Sequence, residues 1–441
     1  MPHNERMLRA VFRFVRHLYF RVTEVVGEAP TTSTRGRLFA ANHVNGLIDP
    51  ILVMTKAPCP IAPLAKSTLW KVPVLRWLLD AVDAVPVHRR KDDPQKDVAS
   101  NAAMFDRVAE HLGRGGNVLV FPEGTSHNEP HLSPLKSGAG RMLARAYESG
   151  ARELTFQAVG LEFDARDTFR SRALIVYGPV RSVDALALAA VGDRPEESLA
   201  RAITEQLRLD LGELIVEGAT WEEHRLIARV ATLFANESGD RTLATWNEIG
   251  RKVEAARRSM GDDDPRHRRI ALAVARYDDA LDATGLTDDE VLNPTRSEPK
   301  RRRRGALLLL TLPLAIPGAT LYALPYRIPR LVARRLAKGG ADEVSTYKLA
   351  TGLVVYPLWA LGLAASSLAL LPPPLSLAGV AVVFASPFAA LRWLDHLEQR
   401  RRSNPASTLD FERIRAIRGE LSELLADARR SFAPDQPSVV T

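Results

Sequence analysis

A histidine, a flexible turn and a carboxylate stand close together near residue 45. The stretch Asn42–Pro50 reads N-H-V-N-G-L-I-D-P and lies between two short apolar runs, 38–41 and 51–54. A histidine whose second ring nitrogen is held by a carboxylate can remove a proton from a hydroxyl near neutral pH. His43 and Asp49 are therefore candidates for a general base and its orienting partner. Asp49 also precedes a proline, so a helix-capping carboxylate without a catalytic role is the simpler alternative.

Basic side chains follow this stretch along the chain. Lys66 lies in A-P-L-A-K-S-T, and Arg89 lies in A-V-P-V-H-R-R-K. Guanidinium groups bind phosphate through paired hydrogen bonds, whereas lysine binds it as a compact charge. Arg89, directly after a predicted strand, is a candidate phosphate ligand. Lys66 is either a phosphate or coenzyme contact or an ordinary surface charge.

A third group of candidate residues lies in V-L-V-F-P-E-G-T-S-H at 118–127. Gly124 lets the backbone approach a ligand, and the N–H groups of the turn that includes Thr125 can bind anionic oxygens. The Glu123 carboxylate is expected to contact a hydroxyl of a polyol substrate or to hold nearby basic groups. Lys136, shortly afterwards, is again a phosphate contact or a surface charge.

Two other kinds of site are disfavoured. His127 and His131 have the spacing of metal ligands, but they lie in a proline-containing loop without an evident third ligand, so no metal site is predicted. Cys59 is the one cysteine, which rules out an intramolecular disulfide and fits a reducing compartment. No histidine stands beside it, so we expect a buried, inert thiol.

Between residues 35 and 189 short apolar runs alternate with helical patterns. The candidate strands are Gly36–Ala41, Ala84–His88, Asn117–Phe121, Thr155–Phe163 and Ala173–Gly178, and the candidate helices include Pro73–Ala81, Gln95–Leu112 and Gly138–Ser149. This alternation predicts an α/β domain with a mostly parallel sheet flanked by helices. Chemistry collects at the carboxyl ends of such strands. His43, Arg89 and Glu123 each follow a predicted strand, so we expect them to converge.

The regions on either side of this domain have different patterns. Residues 1–34 contain an arginine-rich amphipathic helix at 5–26, which favours an anionic membrane surface; packing on the next domain is the alternative. Residues 190–298 form a charged helical region without a catalytic-looking cluster, interpreted as an insert or lid. Residues 396–441 are predicted to be a helix, at 409–431, followed by a disordered tail.

The region 299–395 combines a basic linker with apolar segments. Membrane segments are predicted at 306–326, 349–371 and 375–391, since 305–326 and 349–391 contain no charged residue. A triple proline at 372–374 predicts a hairpin. The first segment has basic residues on both flanks, so whether it crosses or re-enters stays open. We expect a multi-pass membrane protein whose catalytic domain lies on the cytoplasmic face.

The charge balance points to the class of partner. The formal net charge is +8, which favours an acidic partner. The basic residues surround apolar segments and a phosphate-sized site. Membrane lipids and phosphorylated metabolites are therefore favoured, and nucleic acid is not.

Taken together, these motifs resemble the glycerophosphate/lysophosphatidate acyltransferase superfamily, whose first motif is N-H-x4-D and whose third is F-P-E-G-T/S. The wording of both stretches, and F-P-E-G-T-S-H in particular, is similar to the fungal-type glycerol-3-phosphate/dihydroxyacetone-phosphate acyltransferases and their bacterial relatives. The resemblance covers about residues 20–185 strongly and 305–395 loosely, where D-E-V-S-T-Y-K at 342–348 also resembles those relatives. It implies a glycerolipid acyltransferase-like α/β fold.

The resemblance also implies a role for each motif. His43 would be the general base and Asp49 its partner, Arg89 would bind the acceptor phosphate, and Glu123 and Gly124 would bind the acceptor. Val159–Phe163 would line the acyl-donor side. The donor would be acyl-CoA or an acyl carrier protein thioester, without a metal or redox cofactor. The acceptor would be glycerol-3-phosphate or dihydroxyacetone phosphate, with lysophosphatidate as the alternative; a non-catalytic lipid-binding membrane protein is the alternative of another class.

One departure from the family motif concerns spacing. Five residues, not four, separate His43 from Asp49. On a helix at about 100° per residue, neither spacing places the two side chains on one face. We therefore expect His43 to precede the helix, with Asn45 and Gly46 absorbing the extra residue.

Overall fold

In a computed structural model of the chain, the residues described are 3–28, 35–71, 73–87, 97–166, 168–189, 195–261, 264–292, 309–336, 341–401 and 408–432. They divide into two compact units. The first unit comprises residues 1–221 and 337–346, and the second comprises 222–336 and 347–441.

A sheet forms the centre of the first unit. Within the described ranges its strands are β1 (Phe20–Gly27), β2 (Arg37–Ala41), β3 (Ala62–Lys66), β4 (Val85–Val87), β5 (Asn117–Val120), β6 (Thr155–Phe163) and β7 (Ser171–Ser182). Their order is β1-β7-β6-β2-β5-β3-β4. Neighbouring strands are parallel, except that β6 and β7 are antiparallel. The prediction of a mostly parallel sheet is therefore confirmed, although the antiparallel pair makes the sheet mixed.

Helices cover this sheet. They are α1 (His3–Tyr19), α2 (Ile48–Lys56), α3 (Pro73–Ala81), α4 (Asp97–Gly113), α5 (Gly138–Glu148), α6 (Val183–Ala189) and α7 (Pro195–Gly212), with a 3₁₀ turn at Ser67–Lys71. The central strands are almost continuously apolar, and Leu38, Phe39 and Leu119 are fully buried. Such runs are typical of strands covered by helices on both faces.

The amino-terminal prediction is wrong beyond Tyr19. The helix predicted at 5–26 ends there, and the chain continues as β1, which pairs with β7. Residues 22–26 read V-T-E-V-V, and β-branched side chains favour a strand when a neighbouring strand is available. Short apolar runs fit both the helical and the strand periodicity, so the sequence alone did not distinguish a helix from a strand here.

Helix α1 packs on the α/β unit. Phe12 and Val15 are buried, and the Arg16 guanidinium donates to the Thr55 carbonyl over 3.3 Å. Phe14 remains 51% exposed. One face of α1 therefore packs on the neighbouring domain, as the alternative prediction stated.

Helix α7 also belongs to the first unit. A Cβ atom at Gly140 of α5 would lie 2.1 Å from the Ala200 carbonyl oxygen of α7, so the two helices touch through their backbones. Ile203 and Leu207 of α7 are fully buried. The α/β unit therefore extends beyond the boundary expected at residue 189, because α7 buries an apolar face against it.

The second unit is helical within its described part. Its helices are α8 (Trp221–Ser238), α9 (Leu243–Met260), α10 (Pro265–Thr284), α11 (Asp288–Leu292), α12 (Leu312–Leu321), α13 (Ala323–Leu336), α14 (Ala341–Leu370), α15 (Pro373–Arg401) and α16 (Thr408–Phe432), α8 and α14 beginning in the first unit. One core contains Val230, Leu233, Tyr277 and Leu421. The carboxy-terminal helix α16 therefore packs with the charged helices. The predicted disordered tail falls outside the described residues.

Among the described residues, two helices are long and apolar enough to cross a bilayer by length and composition. The spans are Thr346–Leu370 and Pro373–Leu394, separated at Leu371 and Pro372, where the triple proline predicted a break. They contain the predicted segment 349–371 up to Leu370 and the whole of 375–391.

The predicted segment 306–326 is not one helix. Residues 306–308 fall outside the described part, α12 has ten residues, and α13 begins at Ala323. Helix α12 packs on α15: a Cβ atom at Gly318 would lie 2.1 Å from the Ser386 carbonyl oxygen. The Tyr322 hydroxyl, just after α12, donates to the Val383 carbonyl over 2.9 Å.

Candidate active site

The end of β2 positions the first motif. The Asn42 side chain, 4% exposed, bridges to β6: its Oδ1 accepts from the Leu161 N–H over 2.7 Å, and its Nδ2 donates to the Leu161 carbonyl over 3.1 Å. Asn42 therefore extends the pairing of β2 with β6 past the last ladder residue. His43 follows at the carboxyl end of the strand.

The turn after His43 brings the carboxylate back to the ring. His43 Nδ1 lies 2.9 Å from Asp49 Oδ2, and Gly46 adopts a φ of +50°, which favours glycine. Helix α2 begins at Ile48, so His43 precedes the helix, as the spacing predicts. Asp49 is fully buried.

The same carboxylate oxygen also holds the turn. Asp49 Oδ2 accepts from the N–H groups of Val44, at 3.0 Å, and Asn45, at 2.8 Å. Because this oxygen is an acceptor, His43 donates through Nδ1–H and keeps its lone pair on Nε2. The arrangement can therefore orient a neutral imidazole whose Nε2 takes a proton.

The His43 ring lies on Phe121. Their ring centroids are 4.1 Å apart and the planes differ by 22°. The His43 side chain is 14% exposed, so it is held from one side and reachable by a small group.

The Glu123 carboxylate accepts hydrogen bonds from several protein groups. Its side chain is fully buried, and Oε1 accepts from the His43 N–H over 2.6 Å. Oε2 accepts from the Ser133 N–H over 2.8 Å and pairs with His127 Nε2. The carboxylate therefore holds protein groups, and its contact with a substrate hydroxyl stays a prediction.

The loop after Glu123 is closed by local contacts. Gly124 has a φ of +76°, and its N–H donates to the Phe121 carbonyl over 2.9 Å, so this N–H is used within the turn. Lys136 lies over Gly124: a Cβ atom added to Gly124 would lie 2.5 Å from Lys136 Nζ. Thr125 is exposed. Lys136 and Thr125 thus lie at this loop, as predicted.

Of the two predicted basic residues Lys66 and Arg89, the structure describes only Lys66. Lys66 is the last residue of β3. Strand β3 is parallel to β5, and β5 is parallel to β2. Lys66 therefore lies at the same sheet edge as His43 and Glu123. Arg89 lies outside the described residues.

Three contacts of the site were not expected from the sequence. The His127 N–H donates to the His43 carbonyl over 3.2 Å, and its side chain pairs with Glu123. The Thr346 hydroxyl accepts from the Leu47 N–H over 3.0 Å. The sequence features that could have indicated these contacts are the S-H that follows F-P-E-G-T and the stretch D-E-V-S-T-Y-K at 342–348.

His127 and Cys59 both lie in defined surroundings. Both ring nitrogens of His127 have hydrogen-bond partners, and within the described residues no cluster could hold a metal ion. Cys59 is 4% exposed, and burial raises the pKa of its thiol, which suits an inert residue.

The known proteins that this chain resembles are acyltransferases by name. The family model for acyltransferases matches residues 22–160, from β1 into β6. Glycerol-3-phosphate O-acyltransferase 2 of Saccharomyces cerevisiae is 26% identical over 58% of this chain and 37% of its own length. Lyso-ornithine lipid O-acyltransferase of Pseudomonas aeruginosa is 33% identical over 34% of this chain and 52% of its own. The chain thus spans about half, or less, of these relatives.

Among solved structures, the crystal structure of the 1-acyl-sn-glycerophosphate acyltransferase PlsC from Thermotoga maritima aligns with 48% of this chain and 84% of its own. The identity is 17% and the TM-score 0.33. The family match and the curated relatives agree with the motifs. Residues 22–160 therefore match the acyltransferase family model, and the curated relatives are named as O-acyltransferases of glycerol-3-phosphate and of a lyso-ornithine lipid, in agreement with the predicted resemblance.

Proposed function

We propose that this protein moves a fatty acyl group from an acyl thioester to the hydroxyl of glycerol-3-phosphate or dihydroxyacetone phosphate. The observation that carries the proposal is the hydrogen bond of 2.9 Å between His43 Nδ1 and the buried Asp49 carboxylate. It leaves Nε2 as the proton acceptor of a partly exposed ring.

The chemistry follows from this pair. His43 Nε2 takes the proton of the acceptor hydroxyl while the oxygen attacks the thioester carbon. The Asp49 carboxylate stabilises the imidazolium that forms. The tetrahedral oxyanion then collapses, the C–S bond breaks, and the thiolate takes the proton from Nε2. The products are an ester and a thiol, with no covalent enzyme intermediate.

Basic residues at the sheet edge supply the proposed phosphate and donor contacts. Lys66 follows β3, and Lys136 lies over the Gly124 turn. Arg89 is proposed to bind the acceptor phosphate, because it follows β4 by two residues and carries two-pronged donors. Thr125 is exposed beside Gly124, in the loop that an acceptor would approach. The donor is acyl-CoA or an acyl carrier protein thioester.

A second acceptor is also supported. Relatives from Borreliella burgdorferi and Brassica napus are named 1-acyl-sn-glycerol-3-phosphate acyltransferases, with 24% and 30% identity. A relative that covers 58% of this chain is named a glycerol-3-phosphate O-acyltransferase. Lysophosphatidate is therefore the second candidate acceptor.

Membrane attachment is part of the proposal. The helices at Thr346–Leu370 and Pro373–Leu394 expose large apolar side chains such as Leu358, Leu361 and Leu377. An apolar surface of this kind suits lipid. Helix α12, at about 15 Å, is too short to cross. The basic residues on both of its flanks can then lie on one side of the membrane, in agreement with the positive-inside rule.

The test is an acyl-transfer assay on protein in detergent or lipid nanodiscs. Radiolabelled acyl-CoA and acyl carrier protein thioesters are each offered with glycerol-3-phosphate, dihydroxyacetone phosphate and lysophosphatidate. We expect transfer to a glycerol-type acceptor, and His43→Ala should lower kcat at least about 10²-fold. His131→Ala, which changes an exposed histidine nearby, is the matched control.

Two outcomes would overturn the proposal. Equal activity of wild type and His43→Ala would exclude the general-base mechanism. Membrane binding without transfer to any acceptor would instead favour a non-catalytic lipid-binding protein.

A further inference from the structure

The ring of His127 is held in one tautomer. The Glu129 N–H donates to His127 Nδ1 over 3.1 Å, so Nδ1 carries the lone pair. Nε2 faces the buried Glu123 Oε2, which is an acceptor. A neutral imidazole has one proton, and these two contacts place it on Nε2.

His127 is connected to His43 by two routes. Its backbone N–H donates to the His43 carbonyl over 3.2 Å. Its ring donates to Glu123, whose other oxygen accepts from the His43 N–H over 2.6 Å. The N–H and the C=O of His43 are thus both held by the pair of Glu123 and His127, while Asp49 holds the ring.

We propose that His127 is a positioning residue for the general base, acting through Glu123. This inference rests on the proposed function, because it assigns His127 a part in the same reaction. Glu123 is buried and ionisable, and a buried carboxylate needs donors to stay in place. His127 supplies one donor and Ser133 the second on the same oxygen. Loss of the histidine donor would let Glu123, and with it the His43 backbone, shift.

The choice of side chain tests the role. In His127→Gln the amide nitrogen can occupy the position of Nε2 and donate to Glu123, whereas His127→Ala cannot donate. We expect His127→Ala to lower kcat on the order of 10²-fold, since a misplacement of about 1 Å has this effect. KM for the acceptor should change little, and His127→Gln should restore most of kcat. His131→Gln is the control for a histidine change in the same loop.

A purely structural role predicts a different pattern. It would lower the melting temperature and the folded fraction, while kcat per folded enzyme stayed at the wild-type value. Equal kcat for wild type, His127→Ala and His127→Gln, each corrected for folded fraction, would therefore overturn the inference.

A spectroscopic measurement tests the inference without activity. In protein labelled with ¹⁵N-histidine, the His127 signals, identified by their loss in His127→Gln, should show a neutral ring protonated on Nε2. The His43 Nδ1–H signal should shift in His127→Ala and return in His127→Gln. A His127 ring protonated on Nδ1, or an unmoved His43 signal, would overturn the positioning role. If the wild type transferred no acyl group but these signals behaved as expected, only the proposed function would fail.

Discussion

At the residue scale, Asp49 combines two roles that the sequence presented as alternatives. One carboxylate oxygen accepts from the His43 ring and from the N–H groups of Val44 and Asn45. It therefore orients the ring and stabilises the turn before α2. The sequence predicted the pair, but the number of bonds on one oxygen depends on how the turn folds.

Asp49→Asn separates these roles. An asparagine oxygen in the position of Oδ2 can still accept all three hydrogen bonds, but it carries no charge to stabilise an imidazolium. We expect the variant to fold and kcat to fall about 10²- to 10⁴-fold. The measurements are thermal unfolding and the acyl-transfer assay, with Asp49→Ala expected to lose stability as well. Wild-type kcat in Asp49→Asn would show that the carboxylate only caps the turn.

At the element scale, the packing of α7 decides where the α/β unit ends. The charged pattern of α7 resembles that of the helices after it, so the sequence grouped them together. The structure instead shows α5 and α7 in backbone contact at Gly140, with the apolar face of α7 buried. An amphipathic pattern reports that a helix has a partner but does not identify it.

Two glycines of α5 provide a matched test of this contact. A Cβ atom at Gly140 meets the Ala200 carbonyl oxygen at 2.1 Å, whereas a Cβ atom at Gly138 meets nothing within 4 Å. We expect Gly140→Ala to lower the free energy of unfolding by about 1–3 kcal/mol relative to Gly138→Ala. Both changes raise helix propensity, so their difference reports the clash. Equal thermal stability of the two variants would contradict the close approach of α7.

At the scale of the whole molecule, the carboxy-terminal helix completes a core that begins much earlier in the chain. The Arg418 side chain on α16 is 3% exposed, and its Nε lies 2.7 Å from Asp288 Oδ1. The same oxygen accepts from the Tyr277 hydroxyl over 2.7 Å, and burial, then the nearby carboxylate, raise the pKa of Tyr277. A residue near the end of the chain thus neutralises a buried charge in the charged helical region.

Removing Arg418 leaves that charge without its cation. We expect Arg418→Met to lower the free energy of unfolding by about 3–5 kcal/mol, measured by denaturant titration. The matched control is Arg276→Met, which breaks an exposed ion pair of 3.3 Å with Glu420 between α10 and α16 and should change stability by at most about 1 kcal/mol. A loss for Arg418→Met no larger than the control's would contradict a buried, paired Arg418.

The proposed hairpin makes a prediction about sidedness. Leu371, 41% exposed, lies between the two apolar helices. Leu371→Cys should react with a membrane-impermeant maleimide in intact spheroplasts, whereas Arg114→Cys in the α/β unit should react only after permeabilisation. Wild type is the blank, because Cys59 is buried. Protection of Leu371→Cys in intact spheroplasts would exclude a hairpin that exposes its turn on the outer side.

The sequence by itself determined the features that depend on neighbours along the chain. It predicted His43 and Glu123 directly after strands, at one carboxyl edge of the sheet, and the break between the two apolar helices. These follow from motif spacing, apolar periodicity and proline, which act within a few residues. Strands β2, β4, β5, β6 and β7 were therefore predicted with small errors at their ends, whereas β3 was not predicted.

Only the tertiary structure decided which distant groups meet. It showed Glu123 to be a buried acceptor for His43, His127 and Ser133. It also made Phe20–Gly27 a strand, by placing β7 beside it. The reason is the same in both cases: a carboxylate or a short apolar run is compatible with several partners. Burial and hydrogen bonding in the folded chain select one of them.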